Sequence, residues 1–248
     1  MKKGVSASLC HVGHNRRVDL LREGGRQALG LLFGGDAEVW AILRFSLVVS
    51  GTATVLALVV GIPLGTVLAL ARFPGRRPLV AAVNAGMGLP PVVVGLFVSI
   101  VLWRSGPLGP LEMLYTPAAI VLAQAVIAAP IVTGITLAAV QNVPREFRLQ
   151  LLGLGASRVQ MVAVIVREAR LPMLAAVMAA FGGVISEIGA SMMVGGNIKG
   201  QTRTLTTAMV LETGKGNFEI AIALAVLLLA LVFAVNWVLT SVQQRRAG

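Results

Sequence analysis

The 248 residues are 56% hydrophobic and 12% charged, with a mean hydropathy of +0.86; a soluble domain keeps about a quarter of its residues charged, so a water-soluble globular protein is excluded. The net charge of +11 would suit a polyanion, yet no basic stripe interleaved with aromatics accompanies it, which excludes nucleic-acid binding. Cys10 is the single cysteine, so an intrachain disulfide and a cysteine metal cluster are both excluded, and no cofactor, metal site or catalytic residue is expected.

In chain order, residues 1–17 read as a disordered polar tail in which His11 and His14 are solvated. Met-Lys-Lys is not followed by an apolar stretch before Arg16 and Arg17, so a cleavable signal peptide is not expected. Residues 18–44 mix Leu20, Leu29, Phe33 and Trp40 with Asp19, Arg22, Glu23 and Arg26. That pattern predicts an amphipathic interfacial helix, then Gly34-Gly35, with Asp36 capping the entry to a first span.

Five stretches approach or exceed the roughly 20 residues that cross a bilayer: 46–70, 79–103, 117–140, 173–194 and 219–241. Three carry helix-breaking residues, Gly61-Ile62-Pro63, Gly88-Leu89-Pro90-Pro91 and Pro130. These predict spans that are bent or locally unwound. The expected fold is therefore an all-α integral membrane protein, with a five-helix transmembrane domain over 45–241 and a short tail at 242–248.

Charge in the short loops sets the orientation. Arg72, Arg76, Arg77, Arg145, Arg148, Arg158, Arg167, Arg170, Arg245 and Arg246 fall on one side, and Arg104, Lys199, Arg203 and Lys215 on the other. The larger set belongs in the cytoplasm, which puts the loop between spans four and five outside.

The cytoplasmic loop at 141–172 is longer than a connection needs and is not low-complexity. Pro144-Arg145-Glu146 opens a helix, Pro as an early-turn residue and Glu146 near the positive helix end. Phe147, Leu149, Leu151, Leu152 and Leu154 make it apolar, Gly153 and Gly155 end it, and a second helix follows at about 156–169. A short apolar helix exposed to water calls for a groove on a partner. Among the spans, Glu187 is the one acidic residue placed deep in an apolar run, a functional candidate by default; Ser186 and Gln124 are its candidate partners.

The stretch 146–172 resembles the EAA loop of ABC importer permeases, with Gly155 in the Gly position and Ile165 nine residues later in the Ile position. It departs from that pattern in having Leu149-Gln150-Leu151 for the E-A-A triplet and Arg167-Glu168 for the first Leu-Pro. Further likeness extends over about 36–241. Gly88-Leu89-Pro90-Pro91, Arg104-Ser105-Gly106-Pro107-Leu108-Gly109 and Ile185-Ser186-Glu187-Ile188-Gly189-Ala190 resemble the molybdate/tungstate permeases. Met192-Met193-Val194-Gly195-Gly196-Asn197-Ile198, with Thr202-Arg203-Thr204-Leu205-Thr206-Thr207, is most similar to the tungstate group.

That resemblance implies a type I permease core in a bacterial or archaeal inner membrane. It implies a homodimer served by cytoplasmic ABC ATPase subunits and an extracytoplasmic oxyanion-binding protein. Coupling to the ATPase would then fall to Glu146, Leu149, Leu152, Gly155 and Ile165. An oxyanion path needs donors and positive potential, for which Ser186, Glu187, Asn197, Thr202, Arg203 and Thr206 are the candidates, Glu187 as a gate or interface residue. The competing reading is that the threonines only shape the loop and that Arg203 pairs with Glu212 or Glu219. Molybdate or sulfate permeases are the alternatives in substrate. A self-sufficient secondary transporter is disfavoured, because no internal repeat and no set of ion-coupling carboxylates is seen. The chain itself has no phosphate-binding loop, since Gly214-Lys215-Gly216 lacks the hydroxyl that would meet magnesium.

Overall fold

A computed structural model describes residues 37–245 together with Arg26 and Gly30. The expected tail at 1–17, most of the expected interfacial helix and residues 246–248 lie outside the described residues. The described residues are almost entirely helical, with no strand among them.

Helix α1, Ala37–Leu70, is a single run of 34 residues, about 50 Å at 1.5 Å per residue, against a hydrocarbon core of about 30 Å. No Gly or Pro interrupts 37–50, so residues 37–44 are helical and continuous with the residues that follow. The helix is not unwound at Gly61-Ile62-Pro63. Pro63 lies inside a continuous helix, held where Gly61 and Gly65 bring α1 onto the fourth helix. A Cβ on Gly61 would stand 2.7 Å from Val132 Cγ1, and one on Gly65 2.6 Å from the Thr133 carbonyl oxygen. Small residues spaced by four allow this approach, the usual means by which membrane helices associate.

The second expected span is two helices, α2 (Arg76–Met87) and α3 (Pro91–Leu102), meeting at 105°. Pro90 and Pro91 supply no backbone donors and Leu89 precedes a proline, so the helix cannot continue. A short 3₁₀ turn, Gly109–Leu111, leads to α4, Pro117–Gln141. Pro130 does not break α4; its ring lies against Gly86 of α2, where a Cβ would come within 2.9 Å. Helix α4 packs against α1, α2 and α3 and against the two helices of the fourth expected span, and so forms the centre of the bundle.

Two short helices follow, α5 (Arg145–Gly153) and α6 (Arg158–Glu168), then α7 (Arg170–Ile185) and α8 (Gly189–Gly195). The fourth expected span is thus broken as well, by 59° at residues 186–188. Helices α9 (Leu205–Gly214) and α10 (Phe218–Arg245) complete the described chain. Helices α1, α4 and α10 are long and apolar enough to cross a membrane, and the two bent pairs bring the count of spans to as many as five.

α1 and α4 run parallel: Phe45 and Val49 pack near Ala119 and Ile120, while Ala69 and Leu70 pack near Ala139 and Val140. At one end Glu38 meets Lys199 at 2.7 Å. At the other, the Arg76 Nε–H donates to the Leu68 carbonyl at 2.6 Å and the Arg148 Nη2–H to the Val140 carbonyl at 2.6 Å. Arg76 and Arg148 of the larger basic set and Lys199 of the smaller therefore sit at opposite ends of the bundle.

Candidate functional site: a coupling surface and a pathway segment

Helix α5 has two faces. Phe147 and Leu151 pack into a cluster with Ala139, Val140, Val143, Ile165 and Met173. Leu149, Leu152 and Leu154 point outward, Leu154 being 85% exposed, and Val159 of α6 joins them at 79%. Val159 is absent from the sequence-derived site, although its place one residue after Arg158 at the start of α6 leaves it no core to enter. Glu146 is exposed. Ile165 is fully buried, so it anchors α6 and offers nothing to a partner.

Gly155 has a local reason. Its φ of +81° puts it in the left-handed region, its N–H bonds the Leu152 carbonyl at 3.0 Å and the Ala156 N–H bonds the Leu151 carbonyl at 3.0 Å. This is a Schellman ending, for which glycine carries no Cβ penalty. Ser157 then opens α6 with a reciprocal cap, its Oγ accepting from the Gln160 N–H while Gln160 Oε1 accepts from the Ser157 N–H. The two helices are thereby fixed at a defined angle.

Arg148, in the sequence a charge that marks topology, ties α5 to the last turn of α4 through Val140. Arg76 closes the end of α1 in the same way. In both cases the arginine stands eight residues beyond the carbonyl it reaches, a cation over the negative helix end, and that spacing was the available signal.

Most of the pathway residues are joined by hydrogen bonds, Asn197 with Arg203 and Thr206 with the Glu187 carbonyl. Thr202 is buried, accepts from the Ile198 N–H and donates to the Gly195 carbonyl at 2.5 Å. Thr204 and Thr207 form a reciprocal cap at the start of α9. Thr206, also buried, donates to the Glu187 carbonyl at 3.1 Å. The threonine hydroxyls are thus engaged within the protein and hold the loop.

Asn197 adopts a left-handed backbone with φ of 52°. Its side-chain NH₂ donates to the Thr207 carbonyl, and its Oδ1 accepts from Arg203 Nε–H at 3.2 Å. Arg203 lies 3.9 Å from Glu38, on the first helix. Glu212, a candidate partner of Arg203 in the competing reading, is hydrogen-bonded by Lys215 at 2.7 Å and Asn217 at 2.8 Å, with Arg203 near enough to add a weaker attraction. Those two contacts, Asn217 first and Lys215 second, hold the Glu212 carboxyl below its ordinary value of 4.5.

Glu187 sits in the break between α7 and α8, half-buried, where its Oε1 accepts from the Ala190 N–H at 2.8 Å. Neither expected partner reaches its side chain. The Ser186 hydroxyl donates to the Gly182 carbonyl at 2.7 Å, satisfying its own helix. Gln124, only 2% exposed, donates from Nε2 to the Val184 carbonyl at 3.0 Å and to Ser191 Oγ at 3.4 Å.

Comparison with known proteins follows the same outline. Residues 61–248 match the family described as binding-protein-dependent transport system inner membrane component. The tungstate uptake system permease protein TupB of Peptoclostridium acidaminophilum is 39% identical over 92% of this chain and 100% of its own length. A probable anion ABC transporter permease protein of Haloferax volcanii is 43% identical over 79% of this chain and 87% of its own. The fold is similar to a chain of the inward-facing MetNI methionine ABC transporter, with a TM-score of 0.68 at 20% identity, covering 85% of this chain and 98% of that one.

Proposed function

Since the chain belongs to the binding-protein-dependent transport system inner membrane components, we propose that it is the permease of a tungstate importer and that it works as a homodimer. It is a multi-pass inner-membrane subunit of an ABC importer and not itself an enzyme; the family works with a separate ATPase and a binding protein.

The observation that carries the coupling part is the outward row of Leu149, Leu152, Leu154 and Val159, at the arginine-rich end of the bundle. Apolar side chains among arginines face neither lipid nor core, and an ATPase groove would remove them from water. Arg148, Phe147 and Leu151 then pass movement of α5 into α4. The experiment is Leu152→Asp in the assembled complex. Burying an unpaired carboxylate in a groove costs several kcal/mol, so the variant is expected to lose its ATPase on purification. Copurification at the wild-type yield would overturn this role.

Tungstate is the reading supported by the 39% identical relative and by the motif likeness at 192–207. At the end of the bundle opposite α5, Lys199 and Arg203 share the one carboxylate of Glu38, which leaves net positive charge beside a loop whose threonines are structural. In this reading that end is external and α5 is cytoplasmic. Arg203 is the anion-facing residue, and Glu187 positions α8 without contacting the anion.

A further inference from the structure

The fourth span breaks at residues 186–188 with no proline in it. The helical bonds lost there are replaced by side chains. The Val184 carbonyl accepts the Glu187 N–H in a tighter turn at 3.2 Å and also Gln124 Nε2–H at 3.0 Å. Gln124 is the side chain that holds residues on both sides of the break, Val184 of α7 and Ser191 of α8.

The packing divides at the same place. Val184 and Ala180 of α7 share a cluster with Ala57, Ala128 and Val132. Ala190 and Val194 of α8 share another with Val94, Val98, Ala119 and Ala123. Gln124 lies on α4 between Ala123 of one cluster and Ala128 of the other. Helix α8 is also seated directly on α3, since a Cβ on Gly95 would stand 2.6 Å from the Ala190 Cα. Helix α3 is separated from α2 by its own 105° turn. Helices α3 and α8 are thus joined side by side and bounded by two breaks.

We propose that residues 186–188 are a hinge on which α8, carrying α3, moves against α7, and that Gln124 is the positioning residue that latches it. The Oε1 of Gln124 is buried without a hydrogen-bond partner, although a buried amide ordinarily satisfies every group. The bond to Ser191 is the longer of the two, 3.4 Å against 3.0 Å to Val184, and it is the one that moves with α8. The importer reading supplies only the purpose of the hinge; the latch itself is tested without transport.

The test uses the full chain in lipid nanodiscs with Cys10→Ser. A reporter cysteine replaces Ile185, buried beside the break, and a control cysteine replaces Thr54, buried in α1. The readout is the rate of labelling by a water-soluble maleimide. Gln124→Leu removes both latch bonds and is expected to accelerate labelling at 185 by about tenfold, leaving the rate at 54 unchanged. Ser191→Ala, which spares the bond to Val184, is expected to give a smaller acceleration, roughly threefold. It decides the matter on the same criterion if Gln124→Leu does not fold. An unchanged rate at 185, or equal acceleration at 54, overturns the latch.

Discussion

Gly65→Ala probes the contact on which the bundle is centred. The added Cβ would lie 2.6 Å from the Thr133 carbonyl oxygen, 2.8 Å from Thr136 Cβ and 3.0 Å from Thr136 Cγ2. The nearest atom is backbone and Thr136 is fully buried, so neither neighbour can swing away and α1 must part from α4 locally. Overpacking of this kind costs about 1–3 kcal/mol. The gain in helix propensity from Gly to Ala, at most about 1 kcal/mol, offsets part of it. A net loss of about 1–2 kcal/mol corresponds to a melting temperature lower by roughly 2–8 °C for a chain of this size. Gly51→Ala, in the same helix, is the matched control. A Cβ there meets nothing within 4 Å, so the change is expected to be neutral or stabilising by up to about 1 kcal/mol. Thermal unfolding of both variants in one detergent gives the comparison. If Gly65→Ala melts at or above wild type, or together with Gly51→Ala, close α1–α4 packing does not hold the bundle.

Arg203→Glu is expected to abolish oxyanion uptake, and adding Glu38→Arg, which restores the pair in reverse, should fail to rescue it; rescue in an uptake assay would make Arg203 a structural partner of Glu38. Glu212 provides a pH test. Its carboxyl pKa is lowered by Asn217 and Lys215, so the stabilisation is complete above the ordinary value and is lost as pH falls through the lowered one. The melting-temperature difference between wild type and Glu212→Gln should therefore persist at neutral pH, shrink as pH falls below 4.5 and vanish only below the lowered value; a difference independent of pH would refute the assignment. For orientation, a cysteine at Gly200 in the Cys10→Ser background should label with an impermeant reagent from outside intact cells, and labelling only from the cytoplasmic side would invert the topology.

Length and apolarity alone marked the candidate spans, three unbroken helices and two bent pairs, because crossing a bilayer takes about 20 apolar residues. The breaks were only partly legible. Pro90 and Pro91 announced the first through their missing donors. The second, at 186–188, lies in an apolar run marked by Glu187 and by Gly182, Gly183, Ser186 and Gly189 without a proline, and Gln124 on another helix bonds both sides of it. Pro63 and Pro130 lie inside helices that are not unwound, beside close contacts at Gly61, Gly65 and Gly86. The exposed face of α5 was readable from leucine spacing, but the burial of Ile165 depends on Val140 and Met173. The threonine cap at 204–207 is a local pattern. The partner of Arg203 is not, because Glu38 lies 165 positions earlier in the chain, on another helix.

The most direct test of the account is ATP-driven uptake by proteoliposomes holding this chain with its ATPase and binding protein. Tungstate, molybdate and sulfate would be offered separately at equal concentration. The account predicts uptake that requires ATP, the binding protein and an intact Leu152, with tungstate preferred over the other two. Accumulation of tungstate without ATP or the ATPase subunit, or no tungstate transport by a complete and ATP-hydrolysing complex, would contradict it.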